Sequence, residues 1–329
     1  MAFGPNSNNQ LQSNMQQILG IPIVQFHEKY LGLPTVVGRA KKALFVNLHN
    51  RVGKLLQGWK GNILSIAGKE VLIETVAQAL PTYTMSIFKL PMSITKKLQS
   101  MISKFWWGRM GDNCGVHWLK WNVLCRSKEE GGLGFRDFTS FNQALLARMA
   151  WRILTQPHAL VSQVLKAKYF PNKSFLHADS GSSPSYIWQS ILWGSDLLQS
   201  GIRWRVGDGC NILVYFDKWL PTPTTFQTIS PPSLPLNTRV CDLISGGFWD
   251  IQRIRAHFLD KDAEAILSIL IALSSHRDKV LWHYTSNGQY SVRSGYWIGV
   301  QCLKDVGLNN IGSIGGQGSG AGSSSSMWK

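Results

Sequence analysis

Apolar residues recur at Leu44, Phe45, Leu48, Val52, Leu55 and Leu56, near the 3.6-residue period, so the span from Ala40 to Trp59 is predicted to be an amphipathic helix. A second helix is predicted after Ser65, through AGKEVLIETVAQAL, with Pro81 as its stop. A third follows Pro91, from Ser93 to about Trp107, with Ile94, Leu98, Met101, Ile102 and Phe105 on one stripe. Upstream, Leu11 to Leu19 reads as a short helix ending at Gly20, and Gly32, Pro34 and Gly38 mark turns in KYLGLPTVVGR. Downstream, Ser140 to Leu154, Ala159 to Tyr169 and Ser185 to Gln199 are three further helices, punctuated by Pro157 and Pro171.

The pattern then changes. IRWRV and NILVYF alternate in the manner of two strands across the turn GDG, and Asp208-Gly209 is a strong hairpin signal. Pro221 to Pro235 reads as a linker or long loop. Thr238 to Ile244 and Asp262 to Leu273 look helical, and VLWHYT-SNG-QYSV from Val280 reads as a second hairpin. After Gly299 the chain runs into GGQGSGAGSSSS, which buries too little apolar surface to fold, so about the last 20 residues are expected to be disordered. The fold class is therefore mainly α with an α+β C-terminal part: a basic helical bundle, further helices, then β-hairpins.

Between these halves lies an aromatic block, Lys104 to Phe138. Four tryptophans (Trp106, Trp107, Trp118, Trp121) and three phenylalanines sit among six lysines and arginines, and the segment carries Gly131, Gly132 and Gly134. Aromatic faces beside cations are what a surface needs to stack bases and hold phosphates. The same rings are also the largest core fillers, and chain order favours them as packing at the junction. GGLG lacks the Lys-Ser/Thr of a phosphate loop and reads as a tight turn.

Charge sharpens this picture. The 329-residue chain carries a formal charge of +16 with pI near 9.8, which favours a polyanionic partner. Residues 1–178 hold 22 Lys+Arg against 7 Asp+Glu, whereas residues 179–329 hold 12 against 11. Between Glu28 and Glu70 there are eight basic residues and no acid, and between Glu74 and Asp112 five more. A solvated face normally mixes signs, so these spans favour phosphate binding. The candidates for neutralising a nucleic-acid backbone are Lys41, Lys42, Arg51, Lys54, Lys60, Lys69, Lys96, Lys97 and Lys104. Exposed lysines that merely keep the surface soluble are the competing reading. No segment combines a basic face with an uninterrupted apolar one, so a membrane partner is not expected.

At 44% hydrophobic the chain can bury a core, and its length implies two or three units. Five scattered cysteines without a CxxC argue against a disulfide framework and for a reducing compartment. The polar N-terminus lacks a signal-peptide core and no run approaches a membrane span, so an intracellular, nuclear or cytoplasmic, location is expected. Cys114, His117 and Cys125 offer three metal ligands where a structural zinc site takes four. Asp260 and Asp262 suit the solvated first turn of a helix. Ser294 lacks the glycines of a nucleophile elbow.

The motifs together resemble the reverse transcriptase of plant non-LTR (LINE-type) retrotransposons. The match is carried by YLGLP, WKGNILSIAGKEVLIETV, LPTYTMSIFKLP, KFWWG, HWLKWNVLC, EEGGLGFRDF, FNQALLARMAWRIL, LKAKYFP and WRVGDGCNILVYFDKWLP, in that order. WHYTSNGQYSVRSGYW at Trp282 to Trp297 looks like the opening of that family's zinc-binding domain. The resemblance implies a fragment that starts just after the polymerase palm. Residues 1–108 would be a helical thumb-like region and 109–220 an aromatic and helical connection ending in a β-hairpin. Residues 221–237 would be the linker, 238–300 the truncated start of the zinc-binding domain, and 301–329 a disordered tail. The family's catalytic carboxylates lie in a palm Tyr-x-Asp-Asp turn, and this chain has no Asp-Asp pair. The family would use Mg²⁺ and structural Zn²⁺; ligands for neither are recognised here, so no cofactor is expected. The implied role is a non-catalytic remnant that binds RNA/DNA hybrid without sequence preference, the alternative being a structural or silent fragment with no nucleic-acid role.

Overall fold

A computed structural model describes residues 8–20, 29–30, 33–34, 45–59, 64–108, 116–222, 225–271 and 277–301. The expected disordered tail, the turn-rich stretch around Gly38 and the candidate ligand Cys114 lie outside the described residues. The architecture is mainly α with a small antiparallel β part, as the pattern predicted. The chain divides into two compact units, Met1–Asp196 and Leu197–Lys329.

In the first unit, α1 (Asn9–Leu19) is capped by the Asn8 side chain and closes on a left-handed Gly20. Two-residue strands β1 (Lys29–Tyr30) and β2 (Leu33–Pro34) pair antiparallel. Helix α2 (Val46–Gly58) buries Leu48, Val52 and Leu56. Helix α3 (Ile66–Leu72) starts where the Ser65 hydroxyl accepts the Gly68 N–H at 3.1 Å. Regular helix was expected to run on to Pro81, but it gives way to a π turn at Ile73–Ala77, closed by the Gln78 N–H on the Ile73 carbonyl. The Thr75 hydroxyl donates to the Val71 carbonyl at 2.6 Å, the side-chain-to-backbone competition that loosens helices. A single turn, α4 (Thr82–Met85), leads to α5 (Met92–Trp107), which Pro91 precedes and whose stripe Ile94, Leu98, Ile102 and Phe105 is buried as expected. One further turn, α6 (Trp121–Leu124), precedes α7 (Phe138–Thr155), α8 (Leu160–Tyr169) and α9 (Tyr186–Gln199).

Helix α7 is the axis of this unit. Its Asn142 is buried, takes the Leu90 N–H on Oδ1 at 2.8 Å, and gives Nδ2 to the Met85 and Phe88 carbonyls at 2.6 and 2.9 Å. One amide thus completes the backbone of the α4–α5 connection. Gly194 lets α9 approach α7, since a Cβ there would sit 2.5 Å from the Ala147 nitrogen. The Ser190 hydroxyl accepts the Lys89 N–H at 2.9 Å and Gln143 donates to the Trp193 carbonyl at 3.0 Å, fixing that approach.

The second unit does not form the expected pair of hairpins. Strand β3 (Ile202–Arg205) runs antiparallel to β6 (Lys279–Trp282), far downstream, in the register Ile202↔Trp282 and Arg205↔Lys279. NILVYF folds as turns with a single bridge, Leu213↔Arg239. The reason lies in Asp278: its carboxylate accepts the N–H groups of Gly207, Gly209 and Asn211 at 2.8 to 3.0 Å, so the GDG segment wraps an anion instead of reversing a hairpin. Past β6, the Trp282 N–H closes a loop on the Gly288 carbonyl, and the chain enters a helix at 292–301 rather than a return strand.

Thr238 to Ile244 holds only a 3₁₀ turn at Val240–Leu243, followed by the hairpin β4 (Ile244–Ser245) and β5 (Phe248–Trp249). Its turn residues Gly246 and Gly247 both have positive φ, the combination a two-residue reversal requires. Helices α10 (Ile251–His257) and α11 (Asp260–Leu267) then pack Ile254 and Ile266 against Val206, Trp219, Leu220 and Leu243.

Asp262 in the first turn of α11 is not solvated as expected. It is 1% exposed and accepts the Ile229 N–H, the Ser230 N–H and the Ser230 hydroxyl at 2.5 to 2.8 Å, fastening the Pro-rich loop to the helix. Within that loop Phe226, also buried, holds φ +59°, and its carbonyl accepts both the Trp219 and Leu220 N–H groups.

Two outcomes follow. Asn142→Leu keeps the volume but strands one N–H and two carbonyls, so the urea midpoint should drop by the equivalent of about 3 kcal/mol. The second concerns His283, whose Nδ1 accepts the Arg203 Nε–H at 3.2 Å; burial first, then the Arg203 charge, holds its pKa below the ordinary value. Below about pH 6.5 the unfolded imidazole takes a proton that the folded one refuses, so stability is complete above that pH and declines beneath it. Urea titrations across that range should show His283→Gln flattening the acid-side decline.

Candidate nucleic-acid interface

Helices α2 and α5 contain no acidic residue. On α5 the successive steps of about 100° place Lys96, Lys97, Ser100 and Lys104 on one face, away from the buried stripe, and all four are exposed. On α2, Lys54 lies across the helix from Leu48, Val52 and Leu56 and Arg51 flanks that stripe, and both are exposed. The two helices meet where Gly53 faces Met101, a Cβ at Gly53 falling 3.9 Å from the Met101 sulfur. Among the described residues these five cations make no ion pair, and the ion pairs formed are Lys128 with Glu70 and Lys173 with Asp179.

Lys69 stands apart. It is half-buried, donates to the Gly108 carbonyl at 3.2 Å and lies over the Phe105 ring, so its ammonium ties α3 to the end of α5. Lys41, Lys42 and Lys60 lie outside the described residues.

The aromatic block splits in two. Phe135 is fully buried, with Trp106 edge-on at 5.4 Å and Trp121 stacked at 5.6 Å, and Trp107 packs edge-on against Trp106. These three half-buried tryptophans pack within the first unit, two on Phe135 and Trp107 on Trp106. Trp118 does not: it is 77% exposed. The preceding His117 is anchored to α5 through the Ser103 hydroxyl at 3.2 Å and tilts against Trp107, so Trp118 emerges beside the end of α5 that carries Lys104. Chain order could not separate it from its neighbours; only its position after a residue held by α5 leaves it in solvent.

The GGLG turn forms around a left-handed Gly131, and the Leu133 and Phe135 N–H groups both reach the Leu124 carbonyl. Cys125 is mostly buried, and desolvation followed by the charge of Asp137 drives its thiol far above the ordinary range, so it is an inert core thiol. No group of three His, Cys, Asp or Glu side chains among the described residues converges as a metal site. No helix among them is long and apolar enough to cross a membrane.

The sequence matches no protein-family model. It is 30% identical over 280 residues, 80% of this chain, to the Arabidopsis thaliana protein named "Putative ribonuclease H protein At1g65750", of whose length it spans 44%. It is 44% identical over 160 residues to the uncharacterized mitochondrial protein AtMg00310 of Arabidopsis thaliana, covering 99% of that protein and 48% of this chain. Near-complete coverage at that identity shows that the chain belongs to the family of the plant protein AtMg00310.

Proposed function

We propose that this chain is a plant retroelement-derived protein that binds RNA/DNA hybrid through its backbone, without sequence preference and without catalysis of its own. The observation that carries the proposal is the pair of acid-free faces on α2 and α5. Arg51, Lys54, Lys96, Lys97 and Lys104 are exposed there and free of ion pairs among the described residues. Phosphates gain most from cations that no carboxylate already neutralises.

The resemblance to the thumb and connection of a LINE-type reverse transcriptase supports the same reading, since a thumb lays helices along a template-primer duplex. The relative named as a ribonuclease H adds an association with RNA. Trp118, exposed beside the α5 end of this surface, offers an aromatic face on which an unpaired base can stack.

Fluorescence anisotropy with a labelled RNA/DNA hybrid tests this reading. The affinity of the full chain should fall steeply with salt, and the combined variant Lys54→Gln, Lys96→Gln, Lys97→Gln, Lys104→Gln should flatten the log–log slope by roughly 2 to 4, at about 0.9 per lost phosphate contact. Absence of binding at low salt, binding that ignores salt, or a variant that binds like the parent would each overturn it.

A further inference from the structure

Cys210 and Cys241 are both free thiols. They lie on two segments of the second unit that the fold holds side by side. The Cys241 N–H donates to the Gly209 carbonyl at 3.2 Å, the Val240 N–H donates to the Ile212 carbonyl at 3.0 Å, and Leu213 bridges Arg239. Arg239 also gives its guanidinium to the Cys210 carbonyl. Gly209, at φ +71°, is what permits this approach, since a Cβ there would stand 2.7 Å from the Cys241 nitrogen. Across this contact the Cys210 thiol is among the groups that raise the Cys241 pKa, while the Cys210 Sγ donates to the Asp208 carbonyl at 3.7 Å and the Cys241 Sγ to the Asp242 carboxylate at 4.0 Å. Cys210 is exposed and Cys241 is half-buried behind it. Among the described residues no third ligand joins them as a metal site.

We propose that Cys210 and Cys241 are a modification site that closes into an intramolecular disulfide by exchange with a small-molecule disulfide such as glutathione disulfide. The exposed Cys210 thiolate attacks one sulfur of glutathione disulfide, forming a mixed disulfide and releasing one glutathione thiolate. The Cys241 thiolate then attacks the Cys210 sulfur and displaces the second glutathione. Two protein thiols are oxidised, one glutathione disulfide is reduced to two glutathione thiols, and the two protons lost by the protein thiols end on the two departing glutathione thiolates. Both segments are already fixed, one by the Asp278 carboxylate and the other by the core around Val240 and Leu243, and the Cys241 N–H on the Gly209 carbonyl sets the two cysteines on adjacent backbone.

The charged groups around the pair are Asp208 and Arg239, Asp242 beside Cys241, and Asp278 on the loop backbone. Burial, then the Cys210 thiol and Asp242, push Cys241 up to about 11, so the second step should accelerate as pH rises toward that value.

The full chain, equilibrated in glutathione buffers of graded oxidation at about pH 8 and then alkylated and digested with trypsin, decides the matter. Trypsin separates the two cysteines onto peptides 206–218 and 240–253. The expected product is those two peptides joined, lost on reduction and in either Cys210→Ser or Cys241→Ser, with Cys241→Ser retaining one glutathione on Cys210. Both peptides alkylated across the whole range would overturn the proposal. So would glutathione adducts that persist unlinked in the parent chain, or linkage to Cys114, Cys125 or Cys302 instead.

Discussion

Irregular backbone in the interior must find hydrogen-bond partners, and this molecule meets that demand with single side chains that reach across long stretches of sequence. Asn142 completes the turn between α4 and α5, Asp278 gathers three N–H groups of the 207–211 loop, and Asp262 holds residues 229 and 230. Each serves a connection that no neighbouring strand or helix serves. Apolar burial gives each unit its cohesion, but these three polar groups decide which way the chain runs between its elements.

The same economy shapes the basic surface. Helix α2 turns Leu48, Val52 and Leu56 inward and α5 turns Ile94, Leu98, Ile102 and Phe105 inward, and neither helix carries a carboxylate. Where a lysine serves the fold, as with Lys69 on the Gly108 carbonyl, it is withdrawn from that surface. Structural and solvent-facing cations are thereby sorted by what lies beneath them.

Much of this was legible in the sequence. The long helices of the first unit followed from period and proline punctuation, because Val46–Gly58, Met92–Trp107 and Phe138–Thr155 each bury one face and proline stops are local steric events. What the pattern could not give was long-range partnership. IRWRV and NILVYF alternate as strands do, and the GDG between them can turn a hairpin, yet Asp278 and β6 outcompete that local pairing. Asp262 looked like a solvated cap because its partners, Ile229 and Ser230, sit beyond a proline-rich stretch. Trp118 shares its composition with three packed tryptophans, and only the anchoring of His117 separates it from them. By contrast, the Gly246-Gly247 reversal is a local feature, carried by two adjacent glycines that both hold positive φ.

The pairing of β3 with β6 carries a consequence for synthesis on the ribosome. Arg203 and His283 are 80 residues apart, and at 5–20 residues per second translation takes roughly 4–16 s to deliver the second after the first. Throughout that interval IRWRV is an open strand edge, with the Asp278-binding loop unfilled beside it. The first unit can fold while the second waits. A nascent chain stalled before residue 278 would expose an alternating apolar edge of the kind chaperones bind and neighbouring chains extend into aggregates.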